Sequence, residues 1–202
     1  MVKTAVLVSG GGTNLQALID ACGAGIIRSG EIKLVISSSK KAYALERAAR
    51  AGIKAETADK KEAGSQEAFE KKIEELLREN HIGLIVMAGF MSILTKEFTD
   101  KYQSRIINIH PSLIPSFCGR GYYGLKVHEA ALAYGVKVTG ATVHYVNEVP
   151  DGGQIIMQKA VEVKDGDTPE VLQKRVMEEA EWKILPLATE MVAAKLAEAG
   201  DR

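Results

Sequence analysis

The chain has 202 residues, 26 Lys and Arg against 26 Asp and Glu, 46% apolar residues and a mean hydropathy of −0.03. That length suits one α/β core, and the zero net charge excludes the global positive field on which nucleic-acid or anionic-membrane binding draws, so any anion site must be local. Cys22 and Cys118 make no disulfide framework or CxxC pair, and no run is long and apolar enough for a signal segment or membrane span, so the cytoplasm is the expected address.

Short β-branched runs alternate with longer amphipathic stretches, the pattern of a mostly parallel sheet with helices on both faces. Thr4 to Val8 predicts a buried first strand, followed by a glycine-rich turn and a helix from about Asn14 to Ala21. Ile32 to Ile36 reads as a second strand, Ala42 to Ala51 as a helix ended by Gly52, and Lys54 to Thr57 as a short third strand. Ser65 caps a helix to Glu79 on which Phe69, Ile73, Leu76 and Leu77 recur at helical spacing. Leu84 to Ala88 is an apolar strand, Thr95 opens a short helix to about Tyr102, and the strand Arg105 to Ile109 runs into His110-Pro111. Pro111 to Gly124 lacks apolar periodicity, and a connection of that length points to function. After a helix from Leu125 to Tyr134, Val138 to Val146 and Ile155 to Val163 flank Pro150-Asp151-Gly152-Gly153 as an antiparallel hairpin. Thr168-Pro169-Glu170 begins a long C-terminal helix that Pro186 should kink or break, and Trp182 among Val176, Ile184 and Leu185 reads as core. No linker or repeat divides the chain, so a single domain over 1–202 is expected.

Three segments carry chemistry. Ser9-Gly10-Gly11-Gly12-Thr13-Asn14 joins a strand to a helix, where glycines let an anion approach the backbone and the helix start offers free N–H groups. No GK[ST] follows, and Leu15 stands where a dinucleotide fingerprint needs its third glycine, so a phosphate monoester fits better than a dinucleotide; a capped turn is the plain alternative. Asn108 and His110 lie two apart at a strand end and project to one side, a carboxamide donor beside an imidazole. Asp151-Gly152-Gly153 is a good hairpin turn, whose carboxylate would raise and orient an imidazole if the fold brought them together. His128 and His144 weigh less, and with no HExxH, HxH or EF-hand spacing no metal is expected.

With Met87-Ala88-Gly89-Phe90-Met91 and Asn108-Ile109-His110-Pro111-Ser112-Leu113, these segments resemble the folate-dependent phosphoribosylglycinamide formyltransferases, in order from about residue 5 to Pro186. The resemblance implies a mixed, mostly parallel seven-stranded sheet with a Rossmann-like first half. About 1–100 would then hold the ribonucleotide phosphate, and about 101–202 the folate and the catalytic groups. It implies transfer of the formyl group of 10-formyltetrahydrofolate to glycinamide ribonucleotide, with no metal, small-molecule partners only, and a monomer or homodimer. Asn108 would hold the oxyanion, His110 would act protonated, and Asp151 would keep it cationic. By the same match Gly11, Gly12, Thr13 and Asn14 would bind phosphate and Glu181 the ribose. Met91, Ser92, Ile93, Leu94, Asn108, Glu148, Val149, Asp151 and Gln66 would meet the folate.

Three positions depart from the family pattern: Ser92 and Gln66 stand where arginine is frequent, and Trp182 follows Glu181 where histidine is usual. Two rivals use the same chemistry. A formyltetrahydrofolate hydrolase would carry an added N-terminal regulatory domain, and methionyl-tRNA formyltransferase an added C-terminal domain and a basic surface. A non-catalytic phosphometabolite-binding protein is the alternative outside catalysis.

Overall fold

A computed structural model describes residues 1–200. Its seven strands, β1 (Val2–Val8), β2 (Gly30–Ser37), β3 (Lys54–Thr57), β4 (Leu84–Met87), β5 (Ile106–His110), β6 (Val138–Tyr145) and β7 (Ile155–Glu162), form one sheet in the order β3-β2-β1-β4-β5-β6-β7. The first five run parallel, and β6 and β7 are added antiparallel. This is the mixed, mostly parallel α/β architecture the sequence predicts.

The run Ala5-Val6-Leu7-Val8 shows why helices cover both faces. Alternate strand side chains point to opposite sides, and here both sides are buried. Val6 and Val8 meet α1 (Thr13–Gly23), α2 (Tyr43–Arg50), α7 (Pro169–Val176) and α8 (Trp182–Gly200) in one core. Ala5 and Leu7 meet Phe69, Ile73, Leu76 and Leu77 of α4 (Gln66–Glu79) and Phe98 of α5 (Lys96–Lys101) in the other. Ser65 caps α4 by accepting from Ala68 N–H at 3.0 Å, as its position predicts. A four-residue helix, α3 (Lys60–Ala63), is too short to leave a periodic signal; Asp59 caps it, accepting from Lys61 N–H at 2.8 Å. The helix after the long loop, α6, spans Leu125–Tyr134.

Pro186 does not break the C-terminal helix. It lies inside α8, and the irregularity sits one turn earlier, as a π turn over Met177–Glu181. Proline has no N–H for the Trp182 carbonyl, yet the helix continues through it, and in the preceding π turn Trp182 N–H reaches back to the Met177 carbonyl. Trp182 is likewise not core: it is half-buried and lines a groove between α1 and α8 with Pro186 and Leu187.

The chain leaves β1 for β2 on one side and later returns to β4 on the other. Loops at the carboxyl ends of β1 and β4 therefore diverge at a topological switch point, where open α/β sheets bind ligands. The glycine-rich turn follows β1, Gly89-Phe90-Met91 follows β4, and Pro111 follows β5, so the predicted segments converge on this edge.

Candidate active site

Asn108 and His110 occupy the end of β5 and pair in register with His144 and Thr142 of β6. The hairpin turn brings Asp151 back over them. Its Oδ2 lies 3.5 Å from His110 Nδ1 and its Oδ1 lies 3.6 Å from His144 Nε2. Asp151 adopts φ 56°, a left-handed conformation that costs free energy for a non-glycine residue and is held by its surroundings. Gly153 behind it must be glycine, since a Cβ there would sit 1.7 Å from the Tyr145 carbonyl oxygen.

Hydrogen-bond partners assign the tautomers. The Phe117 carbonyl can only accept, so His110 Nε2–H donates to it at 2.9 Å and the neutral ring keeps its lone pair on Nδ1, facing Asp151. His144 Nδ1–H donates to the Tyr145 carbonyl at 2.7 Å, leaving Nε2 to accept from Asn108 Nδ2–H at 3.2 Å. That bond uses one amide hydrogen of Asn108 and leaves the other for a ligand.

Burial lowers the pKa of His110 below the ordinary histidine value, outweighing the opposing pull of Asp151 and the Phe117 carbonyl. Asp151 does pull the His110 pKa upward, as a neighbouring carboxylate is expected to, but desolvation of a ring that is 4% exposed outweighs it. Burial would raise the Asp151 carboxyl; the Gly119 N–H, donating to Oδ2 at 2.8 Å, opposes this whatever the state of the rings, and His144 and His110 lower it further when they carry a proton. The site thus rests as a carboxylate against a neutral imidazole.

These groups line a cleft of about 700 Å³. Met91, Ser92, Ile93 and Leu94 contribute a continuous stretch of its wall, and Val149, Asp151, Asn108 and His110 also line it. Met91, Ile93 and Val149 are large apolar side chains at least half exposed, an oily surface such as a flat ligand covers. Two predicted contacts are not brought into the cleft. Glu148 lies on a separate depression with Thr99 and Gln103, because the turn directs it away from Asp151. Gln66 sits behind the wall, donating from Nε2 to Glu70 at 2.7 Å and to the Ile93 carbonyl at 3.1 Å.

The glycine-rich turn lies across the switch point, joined to the cleft wall where Met91 N–H donates to Ser9 Oγ at 2.9 Å. Among its glycines only Gly12 is required by the fold: it has φ 72°, and a Cβ would sit 2.7 Å from Ala44 Cβ. Gly10 and Gly11 face open space. Gly12 begins α1 without a side-chain cap, so the first-turn N–H groups stay available. Beside them Asn14 Nδ2–H donates to Glu181 Oε2 at 2.6 Å, and Asn14 Oδ1 is buried with no partner. Thr13 stands at the same mouth, its hydroxyl 3.7 Å from Met177 Sδ.

The formyl transferase family model matches residues 2–189. The chain belongs to the formyl transferase family. The chain is 41% identical over 187 residues to a phosphoribosylglycinamide formyltransferase of Haemophilus influenzae, covering 93% of this chain and 85% of that one. It is 44% identical over 200 residues to the trifunctional purine biosynthetic protein adenosine-3 of Gallus gallus, covering 99% of this chain but only 19% of that protein. The solved structure of glycinamide ribonucleotide transformylase 1 from Symbiobacterium toebii superimposes with a TM-score of 0.90 at 42% identity, covering 96% of this chain and 89% of that one.

In this formyl transferase, sequence reasoning undervalued His144, which stands between Asn108 and Asp151. The signal was available in strand parity: a hairpin paired with β5 places every second residue of Thr142-Val143-His144 on the side of Asn108 and His110. The segment before α6, whose length points to function, lines the same cleft through Gly119 to Gly124, with Tyr122 and Tyr123. Among the described residues, no helix is long and apolar enough to cross a membrane, and no group of three or more His, Cys, Asp and Glu is placed to hold a metal ion.

Proposed function

We propose that this formyl transferase moves the formyl group of 10-formyltetrahydrofolate to the amine of glycinamide ribonucleotide, giving formylglycinamide ribonucleotide and tetrahydrofolate, a step of de novo purine biosynthesis. The observation that carries this reading is the convergence of Asn108, His110 and Asp151 at the base of an apolar-walled cleft, next to an uncapped glycine-rich helix start. The names of the relatives at about 40% identity supply the acceptor and the formyl group, and the folate donor rests on the family resemblance.

The folate fits the cleft through the exposed Met91, Ile93 and Val149 side chains and the peptide groups of residues 91–94. Bound there, it would supply the formyl carbon that the glycinamide amine attacks. Asn108 would donate its free N–H to the oxygen that gains negative charge, its orientation held by His144. His110 would take the amine's proton on Nδ1, where two acceptors now face each other at 3.5 Å, and Asp151 would stabilise the imidazolium so formed. The proton would pass to N10 as the bond between the formyl carbon and N10 breaks and tetrahydrofolate leaves. Gly11, Gly12, Thr13 and Asn14 would hold the phosphate, with Glu181 and the unpartnered Asn14 Oδ1 accepting from ribose hydroxyls. On this reading the phosphate half is about 1–100 and the folate and catalytic half about 101–202, although Glu181 and the folate-facing residues Met91 to Leu94 each cross that division. The cytoplasm is the address we propose.

The test is folate deformylation with and without glycinamide ribonucleotide, alongside His110→Ala. Turnover that needs the ribonucleotide and falls in the variant supports the assignment. Deformylation without the ribonucleotide moves the chain to a hydrolase, and binding without turnover leaves a phosphometabolite-binding protein.

A further inference from the structure

We propose that Arg47 is a positioning residue for the phosphate loop: by holding the Gly11 carbonyl it aims the Gly12 N–H into the mouth of α1. The inference rests on reading residues 11–14 as the phosphate site and adds a residue of another helix to it.

The glycine loop packs along α2. Ala44 N–H donates to the Gly10 carbonyl at 3.1 Å, and Arg47 Nε–H donates to the Gly11 carbonyl at 2.8 Å. A trans peptide is planar, with its C=O and N–H on opposite sides. Turning the Gly10 carbonyl toward α2 therefore turns Gly11 N–H away from it, and turning the Gly11 carbonyl does the same for Gly12 N–H. These two N–H groups and the first turn of α1 would then form one concave set of donors, of the kind that binds anions.

Such a loop needs outside support. Gly10 and Gly11 meet nothing that would fix a side chain there, and glycine peptides rotate at little steric cost. Arg47 is itself held: Nη1–H donates to Gln16 Oε1 at 3.2 Å, and Gln16 Nε2–H donates to Asp20 Oδ1 at 2.9 Å one turn along α1. Its guanidinium also lies 5.1 Å from the centre of the Tyr43 ring. The tight Gly12–Ala44 approach brings α2 close enough for these bonds, so the glycine and the arginine serve one contact.

The test compares the full chain with Arg47→Met, which keeps an unbranched stem, and with Arg47→Lys. In Arg47→Met the ribonucleotide KM should rise about tenfold, the scale of a lost charge-assisted hydrogen bond, with kcat and folate KM within twofold. Arg47→Lys should recover part of the loss. In parallel, inorganic phosphate is titrated while the Gly11 and Gly12 amide resonances are followed. Phosphate should shift both in the parent, and in Arg47→Met the Gly12 response should shrink. An unchanged ribonucleotide KM would overturn the proposal. So would weaker phosphate binding with an unaltered Gly12 response, which would make Arg47 a direct ligand, or a uniform loss of kcat, folate KM and thermal stability, which would make it merely structural. The phosphate arm needs no turnover, so a failed formyl-transfer assignment and a failed brace give different results.

Discussion

Asn14 and Glu181 join the two ends of the fold, the amide donating to the carboxylate at 2.6 Å across 167 residues of chain. Asn14 lies in the first turn of α1 and Glu181 ends the π turn, so the widened turn lies where the chain presents a buried carboxylate to the glycine-rich mouth. Burial raises the Glu181 pKa to about 7, against the opposing bond from Asn14.

That carboxylate is held at a cost. Its folded pKa lies above the unfolded value, so the folded state is favoured below about pH 4.5 and loses that advantage as pH rises through 7. Glu181→Gln should therefore raise the stability measured by urea unfolding at pH 8, by up to roughly 3 kcal/mol, while the ribonucleotide KM rises at least tenfold. A variant that is both no more stable and fully active would contradict the assignment of Glu181 to the ribose.

Ribonucleotide binding should release protons near neutral pH. Hydroxyls that donate to Glu181 favour its charged form and pull its pKa down from about 7. Calorimetry in buffers of different ionisation enthalpy should show a net release of a fraction of a proton at pH 6.5. Uptake there would mean that another group dominates the binding site.

The glycine loop separates folding from binding. Gly12→Ala puts a Cβ 2.9 Å from the Ala44 Cα at φ 72°, so thermal stability should fall, by about 2 kcal/mol or more. Gly11→Ala meets open space and should leave the melting temperature within a degree or two while raising the ribonucleotide KM, because the added methyl occupies the anion's approach. Equal stability losses in both variants would remove the argument that only Gly12 is structural.

His110 predicts a displaced acid limb. To accept a proton the ring must start neutral, so kcat/KM should fall only below a pKa lower than the ordinary histidine value. Asp151→Asn removes the charge that opposes this lowering, so the limb should move further toward acid while the rate drops, on the order of a hundredfold. A limb that moves toward higher pH in Asp151→Asn would show that the electrostatic assignment is inverted.

Local pattern carried most of the fold. The twofold-buried run Ala5 to Val8, the caps Ser65 and Thr95 and the hairpin around Asp151 are each legible from a few adjacent residues, because strand parity and capping are short-range effects. What the sequence hid depends on distance. The pairing of Asn108 with His144 is set by the β5–β6 register, and the bond from Arg47 to Gly11 by how α2 packs on the loop. The directions of Glu148 and Gln66 follow from the turn and the helix face that carry them. The His110 shift divides in the same way: the neighbouring carboxylate that raises it can be guessed from motif order, whereas the burial that outweighs it is a property of the assembled site.

His128 and Glu181 make opposite demands on acid stability, and separating them tests both. His128 is 1% exposed, neither ring nitrogen has a partner, and burial, with His110 acting in the same direction, lowers its pKa to about 4. A lowered histidine contributes stability above about pH 6.5 that is lost as pH falls through 4, because the unfolded chain takes a proton the buried ring refuses. Glu181 works the other way between pH 7 and 4.5, and the two effects are of similar size, roughly 3 kcal/mol each. Glu181 therefore offsets part of the acid sensitivity that His128 and His110 confer across this range. Glu181→Gln leaves the histidine effect unopposed, so stability should drop steeply toward pH 4. His128→Gln should do the reverse, with stability falling less steeply than in the parent as pH drops from 7 to 4.5. Parallel pH profiles in the parent and both variants would mean that neither group is buried in the ionisation state derived from its surroundings.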